Sequence, residues 1–88
     1  MKMIIAILKD IDNDPVSQAL VSSGFHVTRI ASTGGFLRRG SSTLMIGVED
    51  DKVDAAIQVI RQSTTPPVEQ GMKRATLFIL KVEHFSQV

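Results

Sequence analysis

Two stretches near opposite ends of the chain, Met3–Leu8 and Ala75–Val82, are apolar on both faces and lack the alternation of a half-exposed strand. Runs this short fit strands covered on both sides rather than helices of ordinary length. Covering four strand faces is hard for a chain of 88 residues. A domain of that size buries only about 60–65% of the surface its unfolded chain would expose. There is no Cys, so disulfides and thiolate metal sites do not contribute. The two histidines, His26 and His84, lie far apart in sequence and make no metal cluster. Association with further copies is the remaining means of stabilisation.

The segments between these runs set the order of elements. Asp10–Asp14 reads as a short turn, with Asp14 as helix cap and Pro15 at the first helical position. Val16, Ala19, Leu20 and Ser23 then share one helical face, and Gly24 is placed as the stop. Phe25–Ala31 is a second strand, with Phe25, Val27, Arg29 and Ala31 on one face and His26, Thr28 and Ile30 on the other. Ser32–Ser42 is rich in glycine and hydroxyl residues and reads as a loop. Thr43–Val48 is a third strand, interrupted by Gly47, where a bulge or a close ligand approach is the usual meaning. Asp50 and Asp51 open a second helix with an apolar stripe of Val53, Ala56, Ile57 and Ile60. Ser63–Gly71, with Pro66–Pro67, is a connector to the fourth strand.

The order β-α-β-β-α-β predicts one α+β domain over residues 1–88, a ferredoxin-like sandwich with both helices on one face of the sheet. The other face stays open. It would carry Met3, Ile5 and Ile7 with Leu77 and Ile79, or their alternate neighbours. At ~25 cal/mol per Å2, hiding a patch of ~400 Å2 contributes on the order of 10 kcal/mol before association costs. That is comparable to the whole stability of a small domain. The open face is therefore expected to pack against copies of itself. The competing reading is a twisted monomer with ordinary core strands.

The loop Thr33-Gly34-Gly35-Phe36-Leu37-Arg38 holds one aromatic between two strands. Glycine backbone can approach a ligand and donate N–H groups to anionic oxygens. Phe36 offers a stacking face for a base, worth ~1–3 kcal/mol, and Arg38 and Arg39 offer charge to phosphate. Chemistry alone leaves two readings open: a nucleotide or small-anion site, or a hairpin with a tucked Phe and solvated arginines.

The chain resembles the trimeric PII-like cyclic di-AMP receptor proteins of bacteria. The resemblance rests on Met1-Lys2-Met3-Ile4-Ile5-Ala6-Ile7, Asp10, Asp12, Phe25, Thr28, Ala31, Thr33 to Arg38, Gly40, Thr43, Gly47-Val48, Asp51, Ala75-Thr76-Leu77-Phe78, Val82, Phe85 and Gln87. It implies a homotrimer that binds its ligand in clefts between subunits and signals to a partner protein. The ligand would be cyclic di-AMP or a related adenine nucleotide. The implied contacts are Thr28, Gly35, Phe36, Leu37, Ser41, Gly47, Phe78 and Gln87, with His26 and Arg38 as further candidates. No cofactor and no catalytic residue are implied. Three positions depart from the family's usual residues: Gly24 and Ser41 stand where Asn is usual, and His26 where some members have Arg. His26 carries charge only when protonated. The connector Ser63–Gly71 is also much shorter than the family's long excursion there, which marks this chain as a short-loop member.

Other functions fit less well. A net charge of +1 gives no footprint for nucleic acid or an anionic membrane. Met3–Leu8 is too short to span a bilayer, and no signal peptide precedes it, so a cytoplasmic location is expected. An RNA-binding module of this fold would display aromatics on its exposed central strands, and the first strand has none. An acyl phosphate hydrolase would need a phosphate cradle where the acidic turn Asp10–Asp14 stands. A structural, CutA-like trimer without a nucleotide ligand is the alternative to the sensor.

Overall fold

The computed structural model describes residues 1–30, 41–64, 75–83 and 86. Its elements are β1 (Lys2–Lys9), α1 (Asp10–Ser22), β2 (His26–Ile30), β3 (Ser41–Val48), a 3-10 turn (Asp50–Lys52), α2 (Val53–Ser63) and β4 (Ala75–Lys81). The strands form one sheet in the order β2-β3-β1-β4, with every neighbouring pair antiparallel. This is the ferredoxin-like α+β arrangement.

Burial divides β1 by residue parity. Ile4, Ala6 and Leu8 are buried under the helices, whereas Met3, Ile5 and Ile7 are half-buried on the other face. Leu44, Ile46 and Val48 of β3 join the helix-side layer, and Val16, Leu20, Ala56 and Ile60 close it from α1 and α2. The α2 stripe is therefore the one expected, with Val53 and Ile57 packed at its margin.

The end of α1 is set by Gly24 at φ +91°. Its N–H donates to the Val21 carbonyl at 3.0 Å, and the Phe25 N–H donates to the Leu20 carbonyl at 3.0 Å. This double bond pattern satisfies carbonyls that the helix leaves open and turns the chain into β2.

Three boundaries differ from the sequence reading, and one is that Asp50 and Asp51 form the 3-10 turn while α2 itself starts at Val53. Helix α1 starts at Asp10, directly after β1, so Pro15 lies inside it. There the proline ring denies the Ile11 carbonyl its helical donor. What outweighs this is tertiary contact: Asp12 is 2% exposed and Asn13 9%, so the first turn packs against the domain rather than lying in water. Its other acids are also engaged. Asp14 pairs with Arg29 at 2.6 Å, and Asp10 accepts a hydrogen bond from the Ser42 hydroxyl. That last contact also explains the third difference. Strand β3 begins at Ser41, not Thr43, because the ladder with β1 runs on through Leu8↔Ser42 and Lys9↔Ser41.

The open face is apolar, but its β4 contribution has the other parity. Phe78 lies opposite Ile5 and Leu80 opposite Met3, while Leu77 faces Ala6 and Ile79 faces Ile4 on the helix side. The open face thus carries Met3, Ile5, Ile7, Phe78 and Leu80. Phe78 and Leu80 are 51% and 47% exposed.

Candidate functional site

The sheet aligns β2 with β3 so that His26 lies opposite Gly47 and Thr28 opposite Met45. On the other side of β3, Gly47 lies opposite Met3. The side chains of His26 and Thr28 leave the same face because residues two apart in a strand share a face. Between them is a cleft of about 340 Å3, lined also by Met1, Lys2, Met3, Met45 and Val82. His26 and Thr28 are exposed, and Gly47 is half-buried at the floor. A side chain at position 47 would project into this space, since a Cβ there would come within 3.3 Å of the Met1 Cε. The Gly47 backbone is therefore open to close approach, although the ladder runs through it without a bulge.

The cleft offers an imidazole from His26 and, from Thr28, a hydroxyl that both donates and accepts. Three methionines surround them with adaptable thioether surface. Such a mixture of apolar walls and a few convergent polar groups is the ordinary make-up of a small-molecule site.

A second cleft of about 510 Å3 adjoins the first across Met1, His26 and Gly47. Ser23, Gly24 and Phe25 line it on the α1 side, and Glu49 and Lys52 on the side of the 3-10 turn. The Met1 ammonium sits 3.0 Å from the Asp50 carboxylate. Its hydrogen bond and charge, with help from Lys2 and Lys81, hold the Asp50 carboxyl below 3.8. Among the described residues, no group of three His, Cys, Asp or Glu side chains is placed to hold a metal ion. None of the helices there is long and apolar enough to cross a membrane.

Two further candidates lie elsewhere in the chain. Ser41 is at the far end of β3, six positions from Gly47 and so roughly 20 Å away. Phe78 is on the open face, but β1 separates its strand from β3. Gly35, Phe36, Leu37, Arg38 and Gln87 lie outside the described residues.

Residues 1–66 match the family model for the cyclic-di-AMP receptor. That span runs from β1 through α2 and includes the whole β2–β3 side of the cleft. The chain belongs to the cyclic-di-AMP receptor family. Receptors of this PII-like family are signal-transduction proteins that sense nucleotides. The fold agrees across a solved relative. The crystal structure of a functionally unknown protein from Pediococcus pentosaceus is 30% identical, with a TM-score of 0.78 over 99% of this chain and 96% of that one.

Met3 and Met45 are cleft residues that sequence reasoning does not pick out. Nothing in a strand run says which residue of another strand it will face. Once the ladder is fixed, Met3 and Met45 are placed beside Gly47 and Thr28.

Proposed function

We propose that the chain is one domain that senses cyclic di-AMP or a related adenine nucleotide, in clefts completed by neighbouring copies in a homotrimer, and relays the bound state to a partner protein in the cytoplasm. The observation that carries this reading is the convergence of His26, Thr28 and Gly47 on one cleft in a chain matched by the receptor model. The Thr28 hydroxyl and His26 imidazole read the polar edge of a base. Gly47 lets the ligand rest on backbone. Ser41 and Phe78 face the same open side of the sheet and act from elsewhere on it, Phe78 as an apolar wall supplied across the seam between subunits. Gly35, Phe36, Leu37, Arg38 and Gln87 complete the ligand's surroundings.

The half-exposed Phe78 and Leu80, continuous with Met3, Ile5 and Ile7, supply the meeting surface. An apolar stripe of this kind is usual at association sites and uncommon on solitary chains. Signalling requires that ligand favour one of two arrangements of the subunits or their loops, and no catalytic step is needed.

Calorimetric titration with cyclic di-AMP, AMP, ADP and ATP tests the reading. Saturable binding of at least one, weakened in Thr28→Val, supports it. No heat from any of the four would leave the structural, CutA-like trimer as the better description.

A further inference from the structure

The β2–β3 ladder stops at the rung His26↔Gly47. Beyond it the two chains part. Phe25 leads back through Gly24 to α1, and Val48 leads on through Glu49 to the 3-10 turn and α2. The second cleft, of about 510 Å3, opens in this fork. Val48 and Phe25 belong to its helix-side floor, since Val48 is buried in the core and Phe25 packs against that core. One wall is formed by Lys52, Ala55 and Val59, whose spacing of three and four puts them on one side of a helix. The turn Ser23–Gly24–Phe25 forms the other wall. Gly24 brings no side chain into the fork, and no atom beyond its chain neighbours stands within 4 Å of where a Cβ would be.

The two clefts meet at that last rung, because Met1, His26 and Gly47 line both. A ligand seated on the open face at Thr28 and Gly47 therefore has concave surface continuing past the end of the ladder. The second cleft is large enough to be a small-molecule site in its own right. Its floor is apolar, and Ser23, Glu49 and Lys52 line it with polar groups. A heteroaromatic base needs this combination: apolar area for its ring and a few polar partners for its edge. A ligand with a single base fills one cleft and leaves the other empty.

We propose that the second cleft holds a second nucleobase, so that the ligand straddles the His26–Gly47 rung with one base on either side of it. The proposal rests on the nucleotide-sensor reading and names where the second half of the ligand lies. Ala55 is then the position that separates two-base from one-base ligands. It is exposed and lines the second cleft alone, so a larger side chain there fills that cleft without entering the core or the first cleft.

Titration calorimetry of the full chain with cyclic di-AMP and, separately, with AMP tests it in wild type, Ala55→Leu and Gln62→Leu. Gln62 is the control, an exposed α2 residue that lines neither cleft. Leucine is nearly as good a helix former as alanine, so Ala55→Leu should fold with a Tm close to that of wild type. It should weaken cyclic di-AMP by about 10-fold or more and leave AMP as wild type binds it. Gln62→Leu should change neither. A second measurement needs no variant: in wild type the methyl resonances of Ala55 and Val59 should shift with cyclic di-AMP and not with AMP. Wild-type affinity for cyclic di-AMP in Ala55→Leu, or methyl resonances that stay in place when cyclic di-AMP binds, would overturn the proposal and leave the sensor reading standing. An equal response to both ligands, in affinity or in the methyl shifts, would also overturn it, because a single base would then occupy the fork. Binding of neither ligand by wild type would overturn both readings.

Discussion

Gly47→Ala separates the fold from the site at a single position. Gly47 sits between Met3 and His26 in a regular ladder. Among the described residues the positive-φ glycine is Gly24, so the backbone at position 47 suits alanine without strain. The new Cβ would stand 3.3 Å from the Met1 Cε. That atom is the tip of a flexible side chain in a residue that is 42% exposed, so it can move by a few tenths of an ångström at the cost of a few contacts of ~0.1–0.2 kcal/mol each. Replacing glycine within a strand contributes about 0.5–1 kcal/mol in return. The net effect lies between nothing and about 1 kcal/mol of added stability, so Tm should stay level or rise by up to roughly 8 °C. The same methyl group rises from the cleft floor where the ligand must approach backbone. Affinity for cyclic di-AMP should then fall at least 10-fold, or about 1.4 kcal/mol, and further in Gly47→Val. Scanning calorimetry and titration calorimetry on one preparation read both quantities. Unchanged affinity in the Gly47→Ala protein would refute the placement of ligand over Gly47. A loss of more than about 2 kcal/mol in stability would refute the packing argument.

Two further outcomes follow from the backbone and from charge. Gly24→Ala forces a Cβ into φ +91° and should lower stability by about 1–2 kcal/mol in denaturant titration, although nothing stands within 4 Å of the added atom. The Asp50 carboxyl, held down first by the Met1 hydrogen bond, should titrate below 3.8 by NMR. Its contribution to stability is then fully present above the unfolded-state value of about 3.9 and fades as pH falls through the folded midpoint, and Lys2→Gln should move that midpoint upward.

The strands and the second helix were legible because apolar residues mark them locally. The alternation of His26, Thr28 and Ile30 likewise gave the face of β2 that borders the cleft. The start of α1 was not legible. Asp14-Pro15 is a strong local signal for a helix beginning, and only packing shows that Asp12 and Asn13 are buried one turn earlier. Ser41 and Ser42 looked like loop because their polarity hides a contact with Asp10, which is 32 positions away from Ser42 in the chain. The faces of β4 were ambiguous for a different reason. Its run is apolar throughout, and a slip of one residue exchanges every inward and outward side chain. Lys2 and Lys81 show the same limit, since their juxtaposition belongs to the ladder and to neither strand alone.

Sedimentation velocity of the purified protein at micromolar concentration tests most directly whether the open face is a meeting surface. A single species of three times the 9.6 kDa chain mass, dispersed by Phe78→Asp, is the result required by clefts completed between subunits. A stable species of one chain mass at that concentration would contradict it.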